Sequence, residues 1–369
     1  MKQNFLISAL LLLVVNLYAQ FPPVTETQKQ ILIETNNTSL VFSVGKNQKL
    51  YQVYLGEKLL NPEDYKTLTN QHEAYVPSGT DNLFEPAIKM LHNDGNPSLE
   101  LLVTDEKVTR DGNLVTTSIL LKDSKYPVEV RLNFVAFQKE NIIKTWTEIK
   151  HQEKNPVTLT NFASSMLHWD ADKYWLTQFH GDWAQEMRME ESQLTSGIKT
   201  IDSKLGTRAN MYQTPVFFLA KNTPATENSG EVLAGTLGWT GSFQMLFEID
   251  NSNSLRMISG MNPFASEYHL KPNENFVTPE FIFTYSAQGK GLASRNFHSW
   301  ARNYGVMDGN GNRLTLLNNW EATYFDFDEN KLTELFGGAK ELGVDLFRKP
   351  KLNYPTDWVI WLNRPKPKV

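Results

Sequence analysis

Arg313–Phe347 reads RLTLLNNWEATYFDFDENKLTELFGGAKELGVDLF, and its periodicity changes twice. Ala322 to Phe327 has the β-branched and aromatic content of a strand. Asp326-Phe-Asp-Glu329 then supplies carboxylates for a capping box at a helix start. Leu332, Leu335, Phe336, Ala339 and Leu342 recur at helical spacing, and Gly343 follows where a helix stops. Gly337-Gly338 weakens that helix by about 1 kcal/mol per glycine against alanine. Val344 to Phe347 begins a second strand. Strand, helix, strand is the building unit of a (β/α)8 barrel or a doubly wound sheet.

Before this stretch the pattern is different. From Gln20 to about Gln288 it is β. Val128, Val130, Leu132 and Phe134 alternate with Glu129, Arg131 and Asn133, the period of a half-buried strand. Val115–Leu121, Ile142–Ile149, Val216–Ala220, Leu246–Ile249 and Phe281–Tyr285 are apolar or β-branched runs. Asp94-Gly95 and Asp111-Gly112 are turn dipeptides between such runs. Many strands joined by short turns imply a large antiparallel sandwich. Residues 289–312 read as a connection: Ala293, Phe297, Trp300, Ala301 and Tyr304 share one helical face, Gly305 ends it, and Asp308 opens a Gly/Asn loop.

The two ends have their own character. Met1–Ala19 reads as a secretory signal: Lys2 precedes an apolar run from Phe5 to Val15, and Ala19 is small enough for cleavage. The run is short for a bilayer core of about 30 Å, so a signal is expected rather than an anchor, with the mature chain secreted or periplasmic and not in the membrane. Residues 348–369 hold six basic residues, four prolines and one acid, and the preceding period is lost.

Composition narrows the chemistry. With no cysteine, disulfides, thiol nucleophiles and thiolate metal sites are excluded. A net charge of −5 leaves no nucleic-acid footprint. Aromatics make up 12% of the 369 residues, an excess that fills β-sandwich cores and also lines carbohydrate sites. Asp308-x-Asn310-x-Asn312 opens like a calcium loop, but Arg313 stands where glycine is needed and Asn319 where the closing glutamate belongs. No His-x-x-x-His pair and no Gly-x-Ser-x-Gly elbow occurs, so neither a histidine metal site nor a serine hydrolase is indicated. Trp169, Trp175 and Trp183, in the aromatic and polar segment His168–Glu186, suit either sandwich packing or stacking on sugar rings.

Three stretches together resemble glycoside hydrolase family 36, chiefly α-galactosidases: PSGTDNLFEPAI with its following Asp-Gly turn, LTQFHGDWAQE from Leu176 to Glu186, and the SRNFHSWARNYGV helix with LLNNWEATYFDFDENKLTELFGGAKELGVDLF. The resemblance covers about Gln28 to Phe347. It implies a mainly β chain: an N-terminal β-supersandwich over 20–288, then the first β/α unit of an incomplete (β/α)8 barrel over 313–347. It implies retaining hydrolysis of terminal α-galactosyl groups with an aspartate nucleophile and an aspartate acid/base, no metal or organic cofactor, α-galactoside oligosaccharides as partners, and homo-oligomers. By the same resemblance, Trp320 packs against the galactose and Asp81 reaches a sugar site in some oligomeric members.

One departure matters. Where the family continues Val-Leu-Asp-Asp-Gly-Trp after a Leu-Phe strand end, this chain has Arg348-Lys-Pro-Lys-Leu-Asn353. A barrel needs about 250 residues, and 57 run from Arg313 to the last residue. The expectation is therefore a truncated chain with an altered frame after Phe347, no catalytic residues of its own and no substantial turnover. The alternatives are a non-catalytic sandwich that binds glycans or another subunit and, among enzymes, an α-N-acetylgalactosaminidase.

Overall fold

The computed structural model describes residues 26–69, 72–80, 82–208, 211–348 and 359–361. They divide into two units, one ending at Trp300 and one starting at Ala301.

The first unit begins with a small antiparallel sheet of β1 (Thr27–Glu34), β2 (Thr38–Gly45), β3 (Leu50–Glu57) and β4 (His72–Glu73). After β5 (Ile88–Leu91) come four consecutive hairpin strands, β6 (Leu101–Asp111), β7 (Leu114–Asp123), β8 (Val128–Phe137) and β9 (Ile142–His151). Then follow β10 (Val157–Asp170), β11 (Tyr174–His180), β12 (Arg188–Gln193), β13 (Gly197–Ser203), β14 (Gln213–Lys221), β15 (Val232–Gly238), β16 (Phe243–Ile249), β17 (Ser254–Met261), β18 (Tyr268–Leu270), β19 (Asn275–Val277) and β20 (Glu280–Ser286). They build a ten-stranded sheet in the order β12-β11-β14-β15-β20-β9-β8-β7-β6, with β19 on β9, and a six-stranded sheet in the order β13-β16-β17-β10-β18, with β5 on β10. The expected β-sandwich is present, with the small third sheet added to its two large ones.

Alternation does the sorting. Val128, Val130, Leu132 and Phe134 are buried while Glu129 and Arg131 are half-exposed. Asn133 breaks the rule: it is buried, but it accepts from Ser118 Oγ at 2.7 Å and donates to Glu148 Oε1 at 3.0 Å, so its burial is compensated. Beyond it β8 is buried on both faces because helix α1 (Gly289–Trp300) covers the outer one. Phe297 and Trp300 pack there with Val135, Phe137, Ile142 and Ile282. The helix read from sequence as a connection thus lies on the sandwich.

Two glycines have specific roles. Gly112 turns the β6–β7 hairpin at φ +54°, with open space where a Cβ would stand, so its backbone freedom is what counts. Gly235 on β15 is needed for room, since a Cβ there would lie 2.6 Å from Phe281 and 2.7 Å from Phe217. Around it Phe217, Phe247, Phe281 and Phe283 form the aromatic centre of the core, Phe217 meeting Phe247 edge-on at 5.0 Å.

Buried polar groups fix the sheets to one another. Asn141, at φ +55°, accepts from the Thr35 and Thr38 hydroxyls beside β2 and donates to Tyr285 O on β20 at 2.8 Å. Gln52 on β3 exchanges two hydrogen bonds with the backbone of His168 on β10, at 2.6 and 3.0 Å. Such satisfied polar pairs specify which sheet docks where.

The second unit contains β21 (Leu316–Asn318), α2 (Trp320–Thr323), α3 (Glu329–Glu341), β22 (Leu346–Arg348) and β23 (Val359–Trp361). β21 and β22 pair in parallel across α3, the expected β/α unit. Three details differ from the sequence reading. Ala322–Phe327 is not a strand: the backbone N–H groups of Ala322 and Thr323 bond to Asn319 O at 3.1 and 3.0 Å, closing one helical turn, and Tyr324 leaves it at φ +46°. The strand lies earlier, at Leu316–Asn318. Asp328 caps α3 by accepting from Lys331 N at 2.8 Å, whereas Asp326 pairs with the Lys331 ammonium instead of closing a box. Finally, β23 falls within the stretch that had lost its period, and pairs antiparallel with β22.

Candidate functional site

Parallel β/α units present their chemistry at the carboxyl ends of the strands. In the second unit that place is the end of β21, where Asn318, Asn319 and Trp320 follow in sequence. Asn318 Oδ1 accepts from Trp320 N at 3.0 Å, which fixes the direction of the chain as it leaves the strand. The Trp320 ring is half-buried and meets Phe325 at 4.8 Å and Tyr324 at 5.6 Å, both edge-on. Tyr324 and Phe325 are themselves exposed. Together they form an aromatic cluster, half-buried at Trp320 and exposed at Tyr324 and Phe325. Beside it Asn319 is fully buried; its amide nitrogen donates to Thr323 Oγ1 at 2.8 Å, and its Oδ1 has no hydrogen-bond partner.

Several carboxylates of the second unit are otherwise occupied. Asp345 accepts from Thr315 N and Oγ1 at 2.9 and 3.0 Å. Asp328 caps α3, and the Lys331 ammonium holds Asp326 below the usual carboxylate range. Glu321 accepts from the Tyr324 hydroxyl at 3.2 Å. None of these four arrangements is the pair of facing carboxyls, about 5–5.5 Å apart, that retaining glycosidases use.

In the sandwich, the three tryptophans of the aromatic segment separate. Trp169 is buried, donates from Nε1 to Leu55 O at 3.1 Å and lies under the Lys221 ammonium. Trp175 packs against the small cluster of Ala220, Ala225, Val232, Ala234 and Ala293. Trp183 is 84% exposed, at the tip of the β11–β12 hairpin between Ala184 and Gly181. Ala184 and Met187 there adopt φ +58° and +55°, a left-handed conformation that costs L-residues about 1–2 kcal/mol each. Asp81, the other residue singled out by the resemblance, lies outside the described residues.

Sequence reasoning missed one polar cluster altogether. His72 and His168 stack at 4.7 Å between ring centroids. His72 Nε2 lies 2.9 Å from Asp170 Oδ2, and Ser254 Oγ donates to Asp170 Oδ1 at 2.6 Å. Burial works against ionising Asp170, but these hydrogen bonds outweigh it and bring the carboxyl down to about 2. Burial drives His168 the other way for a base, well below its usual value, and leaves it neutral. The three residue types of a hydrolytic triad are present, yet one imidazole nitrogen faces both Asp170 and Ser254. A relay needs one nitrogen for each, so the cluster fastens β4, β10 and β17 together rather than activating Ser254. Among the described residues, no three acidic or histidine side chains converge on a metal-sized site.

Comparison with known proteins agrees with the fold. The model of the glycosyl hydrolase family 36 N-terminal domain matches residues 48–271, and the melibiase model matches residues 275–349. The α-galactosidase AgaA of Geobacillus stearothermophilus is 31% identical over 233 residues, 63% of this chain and 32% of that protein. The bifunctional α-galactosidase/sucrose kinase AgaSK of Mediterraneibacter gnavus is 26% identical over 86% of this chain and 38% of its own length. The crystal structure of AgaA superposes with a TM-score of 0.79 at 25% identity, covering 86% of this chain and 49% of AgaA. Variants of AgaA have been solved with raffinose and with stachyose. The chain spans about half the length of the solved structures it matches. On the match of its sandwich residues 48–271, the chain belongs to glycoside hydrolase family 36.

Proposed function

We propose that this chain supplies the sandwich and the first barrel unit of an α-galactosidase, and that Trp320 is its galactose platform. The observation that carries this reading is the place of Trp320: just after the carboxyl end of a parallel strand, half-buried and met edge-on by Phe325 and Tyr324. The relatives' α-galactosidase activity supports the substrate class, terminal α-galactosides of oligosaccharides such as raffinose. In this reading Asp81 is a second sugar contact, the chain forms homo-oligomers, and it is secreted or periplasmic after loss of the segment ending at Ala19.

We further propose that residues 1–369 bind galactosides without substantial turnover, because by the family resemblance the catalytic aspartates belong to barrel strands beyond this single β/α unit. Release of nitrophenol from a nitrophenyl α-galactoside should stay at the level of an empty-vector control; robust release sinks the proposal. Raffinose should give binding heat in titration calorimetry, and Trp320→Ala should abolish it. A second reading, a sandwich that binds glycans without the barrel, is favoured by exposed Trp183. It is distinguished by Trp183→Ala removing the heat while Trp320→Ala leaves it intact.

A further inference from the structure

Deep in the sandwich two hydroxyls have no partner in the protein. Thr147 on β9 and Ser164 on β10 are each 1% exposed, and neither Thr147 Oγ1 nor Ser164 Oγ makes a hydrogen bond. The backbone of Thr147 is fully used: its N–H donates to Thr278 Oγ1 at 2.9 Å, and its carbonyl accepts from Thr278 N at 3.0 Å. The unused capacity therefore lies in the side chain. Valine and alanine would fill the same shapes and leave nothing to satisfy, so the choice of threonine and serine here calls for a polar occupant.

Both residues line one small internal cavity, with Phe42, Tyr75, Phe134 and Met166 around them. The space open to the centre of a water-sized sphere is about 10 Å³, close to the least that holds one water and too little for more. A bulge brings Ser164 to this place. Ala163 pairs with Gly260 and Ser165 with Ser259 on β17, which leaves Ser164 as the extra residue between them. Ser164 and Ser165 consequently line the same cavity, where regular alternation would send them to opposite faces. The Tyr75 hydroxyl, a neighbour of Thr147, donates to Ala163 O at 2.8 Å, and its oxygen keeps the capacity to accept. No charged side chain lines the cavity, which argues against an ion, since a buried charge needs a charged or strongly polar partner.

We propose that this cavity binds a single water molecule, which bridges Thr147 Oγ1 on the ten-stranded sheet to Ser164 Oγ on the six-stranded sheet. The two hydroxyls and the Tyr75 oxygen offer it three partners, the usual number for a buried water. The water is then a component of the core. It links the two large sheets among side chains that otherwise meet only through apolar contact, and it gives the β10 bulge a purpose.

The wild-type chain and one double variant test this. A high-resolution crystal structure of the wild type should show one density peak at about 2.7–3.2 Å from both hydroxyls. In solution, oxygen-17 relaxation dispersion counts waters held longer than surface hydration, and Thr147→Val/Ser164→Ala should lower that count by one. The double variant, its cavity now apolar, should take up xenon under pressure at this place, where the wild type takes none. Should the double variant fail to fold, Ser164→Ala alone removes one of three partners, and the held water should exchange about tenfold faster. A wild-type cavity without density, its Thr147 hydroxyl bonded directly to Tyr75, overturns the proposal. Xenon uptake by the wild type, or a water count and exchange rate that neither variant changes, overturns it equally.

Discussion

The two units bury very different amounts of themselves. The sandwich encloses its apolar side chains between sheets, down to tyrosines and phenylalanines with almost no accessible surface. In the unit that starts at Ala301, Ala339 is the one fully buried apolar side chain among the described residues, while Leu314, Leu316, Tyr324, Phe325 and Leu342 are exposed. An antiparallel sandwich closes its own core, whereas parallel strands are ordinarily covered on both faces. The lesson is a division of labour: the sandwich holds the stability of the chain, and the β/α unit leaves its apolar and aromatic side chains exposed.

The largest effect should come from the aromatic centre. Phe217→Ala removes a ring packed on Phe247 and Phe281 and should cost about 3–5 kcal/mol. Leu342→Ala, at an exposed position, should stay within about 0.5 kcal/mol. Urea unfolding followed by tryptophan fluorescence compares the two, and similar losses would break the contrast.

Acid should attack the sandwich next, through two groups. His168 is held neutral in the folded state, so the unfolded chain binds more protons below the ordinary histidine value of about 6.5. Stability should therefore fall as pH drops through that point. Asp170 is depressed to about 2; its contribution is complete above the unfolded value of about 3.9 and disappears as pH falls from there toward 2. Asp170→Asn should flatten the lower window, and His168→Gln the upper one, in melting temperatures measured from pH 8 to pH 2.5.

Smaller changes probe the β/α unit. Asp328→Ala removes the cap on Lys331 N and should destabilise α3 by about 1 kcal/mol. Gly337→Ala should act in the opposite direction by about 0.5–1 kcal/mol, since a Cβ there meets nothing within 4 Å and helical alanine is favoured. Exchange of the α3 amides resolves both. A cap variant that alters the β8–β9 amides equally would show that the two units do not unfold separately.

Much of this was legible in the sequence. Val128–Phe134 shows its sheet and face by alternation, Asp111-Gly112 shows its hairpin, and Leu332–Leu342 shows its helix. What was not legible depends on distant partners. Trp169 and Trp183 stand in the same aromatic segment, and only the pairing of their strands buries one and exposes the other. The Trp320-Glu-Ala-Thr323 turn has strand-forming residues, but local bonds to Asn319 O decide it. His168, Arg256 and Glu248 become neighbours only through the registers of β10, β17 and β16. Nothing in their separate surroundings announces that they lie in one row.

Asn141 has a consequence in time as well as in space. Its amide bonds to Tyr285, 144 residues later in the chain, and Lys144 beside it reaches Glu280 across a separation of 136. The ten-stranded sheet is thus completed at β9–β20, between segments made far apart on the ribosome. Until β20 emerges, β9 keeps an open edge, and contacts this distant slow the search for the native pairing. Synthesis must have passed Tyr285 before the sandwich can close, so a nascent chain halted earlier should remain bound by a chaperone and open to protease.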